Sequence, residues 1–177
     1  MKRNFFSNYF QSLSSHILKY NEKKLKLISS KLKKIGKKNK IILAGNGGSA
    51  SIANHVAIDL TKIAKIRSVT FNESNLITCF ANDYGYENWV SKAIEKYALK
   101  GDICIFISSS GKSKNIINAA KIAKKKGIFL ITLSGFDATN PLKKMGNINL
   151  WVASKNYNYI EMTHHVWLVA IADYLKK

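Results

Sequence analysis

The stretch Ile41-Ile-Leu-Ala-Gly-Asn-Gly-Gly-Ser-Ala50 places four apolar residues directly before a glycine-rich turn, and residues 49–62 after it have the pattern of a helix. A buried strand, a turn of small residues and a helix N-terminus together form an anion site. Unpaired backbone N–H groups and the positive end of the helix dipole point at one place there, and glycines let a phosphate approach the backbone. The stretch therefore predicts a phosphate-binding turn.

The same arrangement returns downstream in Ile103-Cys-Ile-Phe-Ile-Ser-Ser-Ser-Gly-Lys-Ser113. Two hydroxyl-bearing loops that follow two apolar strands indicate a phosphorylated small molecule held between them. Serines at this point also suit the N-cap of the next helix, a role that is compatible with anion binding.

The chain has 177 residues, of which 46% are hydrophobic, as is typical of a globular protein. We therefore expect one domain with a well-packed hydrophobic core. Its apolar runs are too short to span a membrane, and no signal peptide is expected. Cys79 and Cys104 lie in apolar surroundings and form no framework or metal motif. We therefore expect a cytoplasmic protein with two buried, reduced thiols and no membrane partner.

The formal net charge of +19 comes almost entirely from lysine, because Arg3 and Arg67 are the only arginines. Nucleic-acid-binding sites favour arginine, because its planar guanidinium group can donate two parallel hydrogen bonds to a base or a phosphate. The lysines are spread over several predicted helix faces, which is typical of a solvated surface. We expect no specific nucleic-acid partner.

Periodicity predicts an N-terminal helical segment, 1–36, followed by one unit, 37–177, in which strands and helices alternate. Short, wholly apolar strands between helices favour a parallel sheet covered on both faces, with a ligand crevice beyond the carboxyl ends of the strands. Strands are predicted at 40–44, 68–71, 102–107, 129–133 and 148–152. Helices are predicted at 49–62, 74–81, 87–99, 113–126, 141–145 and 159–175.

Three motifs, Gly45-Asn-Gly-Gly-Ser49, Asn82-Asp-Tyr-Gly-Tyr-Glu87 and Ser108-Ser-Ser-Gly-Lys-Ser113, resemble the sugar isomerase (SIS) domain. Among SIS proteins the chain is most similar to the phosphoheptose isomerases. The resemblance implies an α/β fold, a doubly wound parallel five-stranded sheet with helices on both faces and an N-terminal helical segment. It also implies isomerisation of sedoheptulose 7-phosphate to glycero-manno-heptose 7-phosphate through an enediol, in the synthesis of heptose for a surface glycan.

The resemblance assigns the substrate contacts to the three motifs and to the last helix. Lys112 stands where relatives often have asparagine, so it either adds a charge at the phosphate or faces solvent. The implied substrate-binding residues are Asn46, Gly47, Gly48 and Ser49 in the first loop, Asn82 and Asp83 for the sugar, Ser108, Ser109, Ser110 and Ser113 for the phosphate, and Glu161.

The resemblance also implies zinc, which the relatives bind through a histidine and a glutamate one helical turn apart and through a glutamine and a histidine on the last helix. Their glutamate and last histidine are the proposed base and acid. Here the first pair reads His55 and Asp59, and the glutamine position reads Glu161. The last histidine is replaced by Val169, which can neither bind a metal nor transfer a proton.

Two neighbouring histidines can replace the missing one. His164 and His165 follow Glu161 by three and four residues, on roughly the same helix face. We favour His165, because relatives carry a histidine at the position of His164 that is not a ligand. The expected zinc ligands are thus His55, Asp59, Glu161 and His165, and the expected catalytic residues are Asp59, Glu161 and His165. Alternatively, one of the two histidines is a core residue and the other lies at a subunit interface.

The last helix is apolar nearly all round, which predicts burial on all sides and hence contact with other subunits. Family members form tetramers whose sites are completed by neighbouring chains, so we expect a homotetramer. Two other functions stay open: a non-catalytic SIS protein that binds a phosphosugar or another protein, and an isomerase for a different sugar phosphate.

Overall fold

A five-stranded, wholly parallel sheet forms the centre of the protein, and its strand order is β2-β1-β3-β4-β5. The structure is a computed structural model that describes residues 4–176, so Arg3, the start of segment 1–36 and the end of unit 37–177 lie outside the described residues. The strands are β1 Ile41–Ala44, β2 Ser68–Thr70, β3 Ile103–Ser108, β4 Phe129–Ser134 and β5 Ile148–Trp151.

Helices cover both faces of this sheet, as the apolar strands predict. β1 and β3 are buried along their whole length, whereas the edge strand β2 is partly exposed. One core cluster joins the sheet to α2, α3 and α7, and a second joins the other face to α5 and α6. The helices are α1 Phe5–Ile17, α2 Glu22–Lys33, α3 Gly48–Lys62, α4 Ser74–Tyr84, α5 Trp89–Tyr97, α6 Lys114–Lys125 and α7 Tyr157–Tyr174.

The strand order reverses between β1 and β3, which lie side by side in the sheet. At such a switch point the loops after the two strands turn to opposite faces and leave a crevice at the carboxyl edge. The loop after β1 leads into α3, and the loop after β3 leads into α6. The fold therefore brings the two predicted anion loops to one edge.

The N-terminal helices pack beside the last helix. Trp167 Nε1 donates a hydrogen bond to the backbone oxygen of Ile17 at 2.9 Å, and Lys24 Nζ donates to the backbone oxygen of Asn149 at 2.8 Å. In the single chain, α7 keeps one exposed face, where Met162 and Val166 are 40% and 39% exposed, so its burial on all sides stays a prediction for an assembly. Among the helices of residues 4–176, none is both long and apolar enough to cross a membrane.

Four expectations need correction. The predicted helix 74–81 continues to Tyr84, because no residue before Gly85 breaks it. Segment 141–145 forms only a short 3-10 turn, Leu142–Lys144. The last helix begins at Tyr157, where the side chain of Asn156 caps it. Cys79 is exposed on α4, and only Cys104 is buried.

Candidate active site

A cavity of about 150 Å³ lies at the carboxyl ends of β1 and β3, between the two loops. Most of the residues that the sequence predicts for substrate binding line it. Its lining also includes Tyr157, from the first turn of α7, which the sequence did not indicate. The lining residues are Asn46, Ser49, Ile107, Ser108, Ser109, Ser110, Ser113, Tyr157 and Glu161.

Glycine and a pair of amides give the first loop its shape. Gly47 has a φ of 53°, a conformation that side-chain-bearing residues rarely adopt. The side chains of Asn46 and Asn115 exchange two hydrogen bonds, of 2.9 and 2.8 Å. Asn115 lies in the first turn of α6 and is 2% exposed, so this pair ties the first loop to the helix that follows the second loop.

The second loop is held by backbone contacts from the residue after β4 and from the 3-10 turn that begins at Leu142. Gly135 N donates to Ser109 O at 2.8 Å, and Leu142 N donates to Gly111 O at 3.2 Å. Gly111 has a φ of 65°, and a Cβ there would collide with the side chain of Asn140. Asn140 is itself fixed, because its Nδ2 donates to the backbone oxygen of Asp137 at 2.7 Å. The loop is therefore preorganised.

The serine hydroxyls of this loop remain directed at the cavity. Ser113 precedes α6 in extended conformation, yet its side chain makes no capping hydrogen bond. The Oγ atoms of Ser108 and Ser113 instead lie 3.0 Å apart, and Ser110 Oγ accepts a hydrogen bond from Lys112 N at 3.2 Å. N-capping by Ser113 therefore does not explain this cluster, whereas hydroxyls beside a helix N-terminus suit an anion.

Glu161 reaches the cavity from α7. Its Oε1 accepts a hydrogen bond from Ser109 Oγ at 3.3 Å, and its carboxylate lies so close to Gly48 that a Cβ at that position would collide with it. The glycine at the start of α3 thus makes room for this carboxylate. The Ser109–Glu161 contact therefore lies in the lining of the same cavity as the other loop serines.

Three of the predicted metal-binding and catalytic residues contact one another between α3 and α7. Nδ1 of His55 lies 2.7 Å from Nε2 of His165, and Nε2 of His55 lies 3.2 Å from Oδ2 of Asp59. Partial burial lowers the pKa of His165, and the neighbouring His55 lowers it further, while Asp59 opposes the change. We call His55, Asp59 and His165 the histidine cluster.

The four expected zinc ligands do not converge on one point. His55 turns one ring nitrogen to His165 and the other to Asp59, while Glu161 faces the loop serine. Within residues 4–176, no three histidine, cysteine or carboxylate side chains are grouped as a metal site. The donor types suit Zn²⁺, but their arrangement in the single chain does not fit it.

His164 is a buried core residue, and Val169 is a partly buried residue beside the core. His164 is fully buried, its Nε2 lies 3.1 Å from the backbone oxygen of Ser134, and burial lowers its pKa to about 4. Val169 packs against the apolar cluster between the sheet and α7. Of the two candidate histidines, His165 is the one that contacts His55.

Asn82 and Asp83 lie in the last turn of α4, where Asn82 Nδ2 donates to Asp83 Oδ1 at 3.1 Å. They do not line the loop cavity, so their contact with a sugar stays a prediction. Their motif touches the first loop through Tyr86, whose hydroxyl lies 3.4 Å from Asn46 Oδ1. The sequence motifs did not identify Asn115 or Asn140 as site residues. For Asn115 a signal existed, because an asparagine stands there in the first turn of a helix whose neighbouring positions are apolar.

The comparisons agree with this architecture. A family model described as "SIS domain" matches residues 5–135. A phosphoheptose isomerase of Sulfurimonas denitrificans is 40% identical over 78% of this chain and 73% of its own length. One from Helicobacter pylori is 34% identical over 78% of this chain and 74% of its own length.

The fold has a close counterpart among solved structures. Phosphoheptose isomerase GmhA from Neisseria gonorrhoeae superimposes with a TM-score of 0.90, over 99% of this chain and 98% of that chain, at 24% identity. The fold, the two loops and the relatives lead to one conclusion: the chain belongs to the SIS domain family, beside relatives named phosphoheptose isomerases.

Proposed function

We infer that the chain is a phosphosugar aldose–ketose isomerase, and we propose sedoheptulose 7-phosphate as its substrate and heptose synthesis as its pathway. One observation supports this best: the carboxylate of Glu161 lies on the same cavity as the serine loop. A phosphate site beside a carboxylate provides an anchor for the substrate and a group that can accept a proton. The relatives' names supply the class of sugar, a phosphorylated heptose, and the choice of sedoheptulose 7-phosphate follows from the family resemblance.

Isomerisation requires a base for a carbon-bound proton, an acid for the carbonyl oxygen and stabilisation of the oxyanion. In the proposal, the hydroxyls of Ser108, Ser110 and Ser113 and the N-terminus of α6 hold the phosphate. Ser109 and Asn46 orient the sugar. Proton transfer is assigned to Glu161 and to the histidine cluster, whose catalytic members are Asp59 and His165.

The histidine cluster lies between α3 and α7, and none of its three residues lines the cavity of its own chain. His55 follows Gly48 by seven residues, which corresponds to roughly 10 Å along a helix. A neighbouring copy could bring its cluster to this cavity, so we propose a homo-oligomer, most simply a tetramer. The exposed Met162 and Val166 support it, because apolar side chains of this size favour burial. A monomer in multi-angle light scattering at micromolar concentration would contradict this part.

We propose zinc as the bound metal on the basis of the family resemblance alone. The single-chain arrangement does not gather its expected ligands, so no step above passes through a metal. Metal analysis of protein purified without chelator tests the point directly. We also propose a cytoplasmic location, consistent with Cys79 and Cys104 as free thiols.

The deciding experiment incubates the purified protein with sedoheptulose 7-phosphate, with and without added zinc, and follows the aldose by NMR. Turnover in either condition supports the isomerase. Ser110→Ala should weaken substrate binding while the fold, measured by circular dichroism, stays intact; unchanged binding would refute the phosphate-loop assignment. Binding without turnover would favour the non-catalytic alternative. Val169 supports that alternative, because it replaces a histidine that is a proposed catalytic residue of the relatives.

A further inference from the structure

We propose that Tyr157 contacts the substrate: its phenol hydroxyl donates a hydrogen bond to an oxygen of the sugar phosphate in the loop cavity. Phe136 is a positioning residue that holds the ring of Tyr157 at this place. The inference rests on the proposed function, because it names a further contact of the same substrate. Both positions lie outside the three motifs of the sequence and outside the expected metal site.

The loop cavity offers a bound sugar phosphate only neutral side-chain donors. Among residues 4–176, no lysine, arginine or histidine lines it, so these donors are the serine hydroxyls, the amide of Asn46 and the hydroxyl of Tyr157. The amide of Asn46 is already paired with Asn115, and Ser109 Oγ donates to Glu161. The hydroxyl of Tyr157 is a donor that these contacts leave available.

Tyr157 combines exposure with an available hydroxyl. The residue is 55% exposed although it lines the cavity, and within the described part of the chain its hydroxyl has no protein partner. A tyrosine hydroxyl usually pairs with a hydrogen-bond acceptor once it is covered. A bond to a phosphate oxygen is charge-assisted and stronger than one between neutral groups. The oxygens of a sugar phosphate are therefore suitable acceptors for this hydroxyl.

The backbone around Tyr157 is fixed by hydrogen bonds. Tyr157 is the first residue of α7, and the side chain of Asn156 caps this helix by accepting hydrogen bonds from the two N–H groups that follow Tyr157. Asn156 N in turn donates to Ser154 Oγ at 3.1 Å. Ser154 O accepts a hydrogen bond from Phe136 N at 2.9 Å. The start of α7 is therefore tied to the loop after β4.

Phe136 has an unusual backbone conformation. Its φ is 51°, in the left-handed region, which bulky residues rarely adopt and glycine adopts readily. The preceding Gly135 N donates to Ser109 O at 2.8 Å, so Phe136 adjoins a contact of the serine loop. Strained residues of this kind are frequent at ligand sites, where the surrounding structure holds them. A phenylalanine at a place that favours glycine indicates a role for its ring.

The ring of Phe136 makes two kinds of contact. It packs against the apolar cluster between the sheet and α7. It also lies against Tyr157, with the two ring centroids 4.7 Å apart and an angle of 57° between the ring planes. Aromatic pairs at this distance attract each other beyond the burial of their area and prefer definite orientations. Phe136 thus links the core to Tyr157 and limits the positions that the hydroxyl can take.

The test removes the hydroxyl alone. Tyr157→Phe keeps the ring on Phe136, so its melting temperature should match wild type. We expect KM for sedoheptulose 7-phosphate to rise about fivefold or more, the loss of one hydrogen bond, with kcat nearly unchanged. Tyr159→Phe is the matched control, because it removes a hydroxyl from the same turn of α7, where the ring packs against Tyr9 and His16. This control should keep the KM of wild type.

Titration with inorganic phosphate shows which part of the substrate accepts the hydrogen bond. Weaker phosphate binding by Tyr157→Phe supports a bond to the phosphate group, and retained phosphate binding beside a raised KM supports a bond to a sugar hydroxyl. A KM of Tyr157→Phe within about twofold of wild type would overturn the contact. An equal rise in KM for Tyr159→Phe would overturn it as well.

A double-mutant cycle tests the positioning role of Phe136. Phe136→Leu removes the aromatic ring and should raise KM as Tyr157→Phe does, whereas Phe136→Tyr keeps a ring and should stay near wild type. Because both changes disturb one contact, the double variant Phe136→Leu/Tyr157→Phe should show no further rise in KM. A wild-type KM in Phe136→Leu, or additive effects of the two changes, would overturn the positioning role.

Two further results separate this inference from the proposed function. Wild-type protein that binds sedoheptulose 7-phosphate without turnover refutes the isomerase, and the dissociation constant from isothermal titration then replaces KM in the same comparison. A dissociation constant of Tyr157→Phe about fivefold above wild type supports the contact, and an unchanged one overturns it. Wild-type protein that neither binds nor isomerises the sugar refutes both the proposed function and the contact.

Discussion

Nδ1 of His55 lies 2.7 Å from Nε2 of His165, although 110 residues separate them in the sequence. At this distance one nitrogen carries the proton and the other accepts it. The contact joins α3 to α7 and, through Asp59 on the other side of the His55 ring, forms a chain of three titratable groups. His164 is fully buried and Val169 carries no titratable group, so His165 is the α7 histidine available for proton transfer.

Replacement of His165 should therefore affect chemistry more than folding. The side chain is only partly buried, so His165→Ala should change the melting temperature by no more than a few degrees. We expect kcat for sedoheptulose 7-phosphate to fall by about 10²-fold or more, the loss typical of an acid–base residue. Steady-state kinetics with thermal unfolding of the same preparation checks both. An unchanged kcat would remove His165 from the mechanism.

The adjacent histidine should behave in the opposite way. His164 fills a fully buried position and bonds to Ser134 O, so His164→Ala leaves a cavity and removes one of the two hydrogen bonds to that oxygen, which also accepts from Val152 N. We expect a loss of about 2–4 kcal/mol in the free energy of unfolding, measured by urea denaturation. The variant that is folded should keep the kcat of wild type. A loss of kcat without a loss of stability would contradict a purely structural role for His164.

The sequence predicted the sheet and the two loops for local reasons, whereas the choice of His165 over His164 came from the family resemblance and stays a prediction. The predicted strand 102–107 is apolar from Ile103 onward, and a turn rich in glycine and serine after such a strand is typical of an anion-binding loop. What it could not predict depends on contacts between distant segments. The exchange of amide hydrogen bonds between Asn46 and Asn115, and the turn of Glu161 towards Gly48 rather than towards His55, become visible only when α3, α6 and α7 are packed.

Gly111 should be intolerant of any side chain. Its positive φ disfavours L-residues, and a Cβ would collide with Asn140, which the 135–140 loop holds in place. Gly111→Ala should thus displace the serine loop, reduce binding of inorganic phosphate at least about tenfold and cost about 1–3 kcal/mol of stability. Isothermal titration and urea denaturation measure the two effects.

Gly127 is the matched control, because it also has a positive φ but nothing lies within 4 Å of its added Cβ. Gly127→Ala should lose stability and keep phosphate binding.

Asp102 gives the fold a specific sensitivity to acid. Burial raises the pKa of this carboxyl, but hydrogen bonds from Leu99 N, from Lys40 Nζ and N, and from Asn39 Nδ2 outweigh it, so the pKa lies below its ordinary value. A carboxyl with a lowered folded-state pKa stabilises the protein fully above the unfolded pKa, near 4, and the contribution disappears as the pH falls through the folded pKa.

Asp102→Asn keeps the shape of this side chain but removes its charge and one acceptor, and it leaves Lys40 without its ionic partner. Near pH 7 the variant should be less stable than wild type by about 3 kcal/mol, the loss expected when one partner of a buried pair is removed. The difference should narrow as the pH falls below about 4, because the carboxyl of the unfolded wild-type chain then takes up a proton while the folded carboxyl is still charged, and this favours unfolding of the wild type. Urea denaturation from pH 7 to pH 3 measures both curves. A difference that stays constant over this range would mean that the backbone hydrogen bonds of Asp102, and not its charge, stabilise the start of β3.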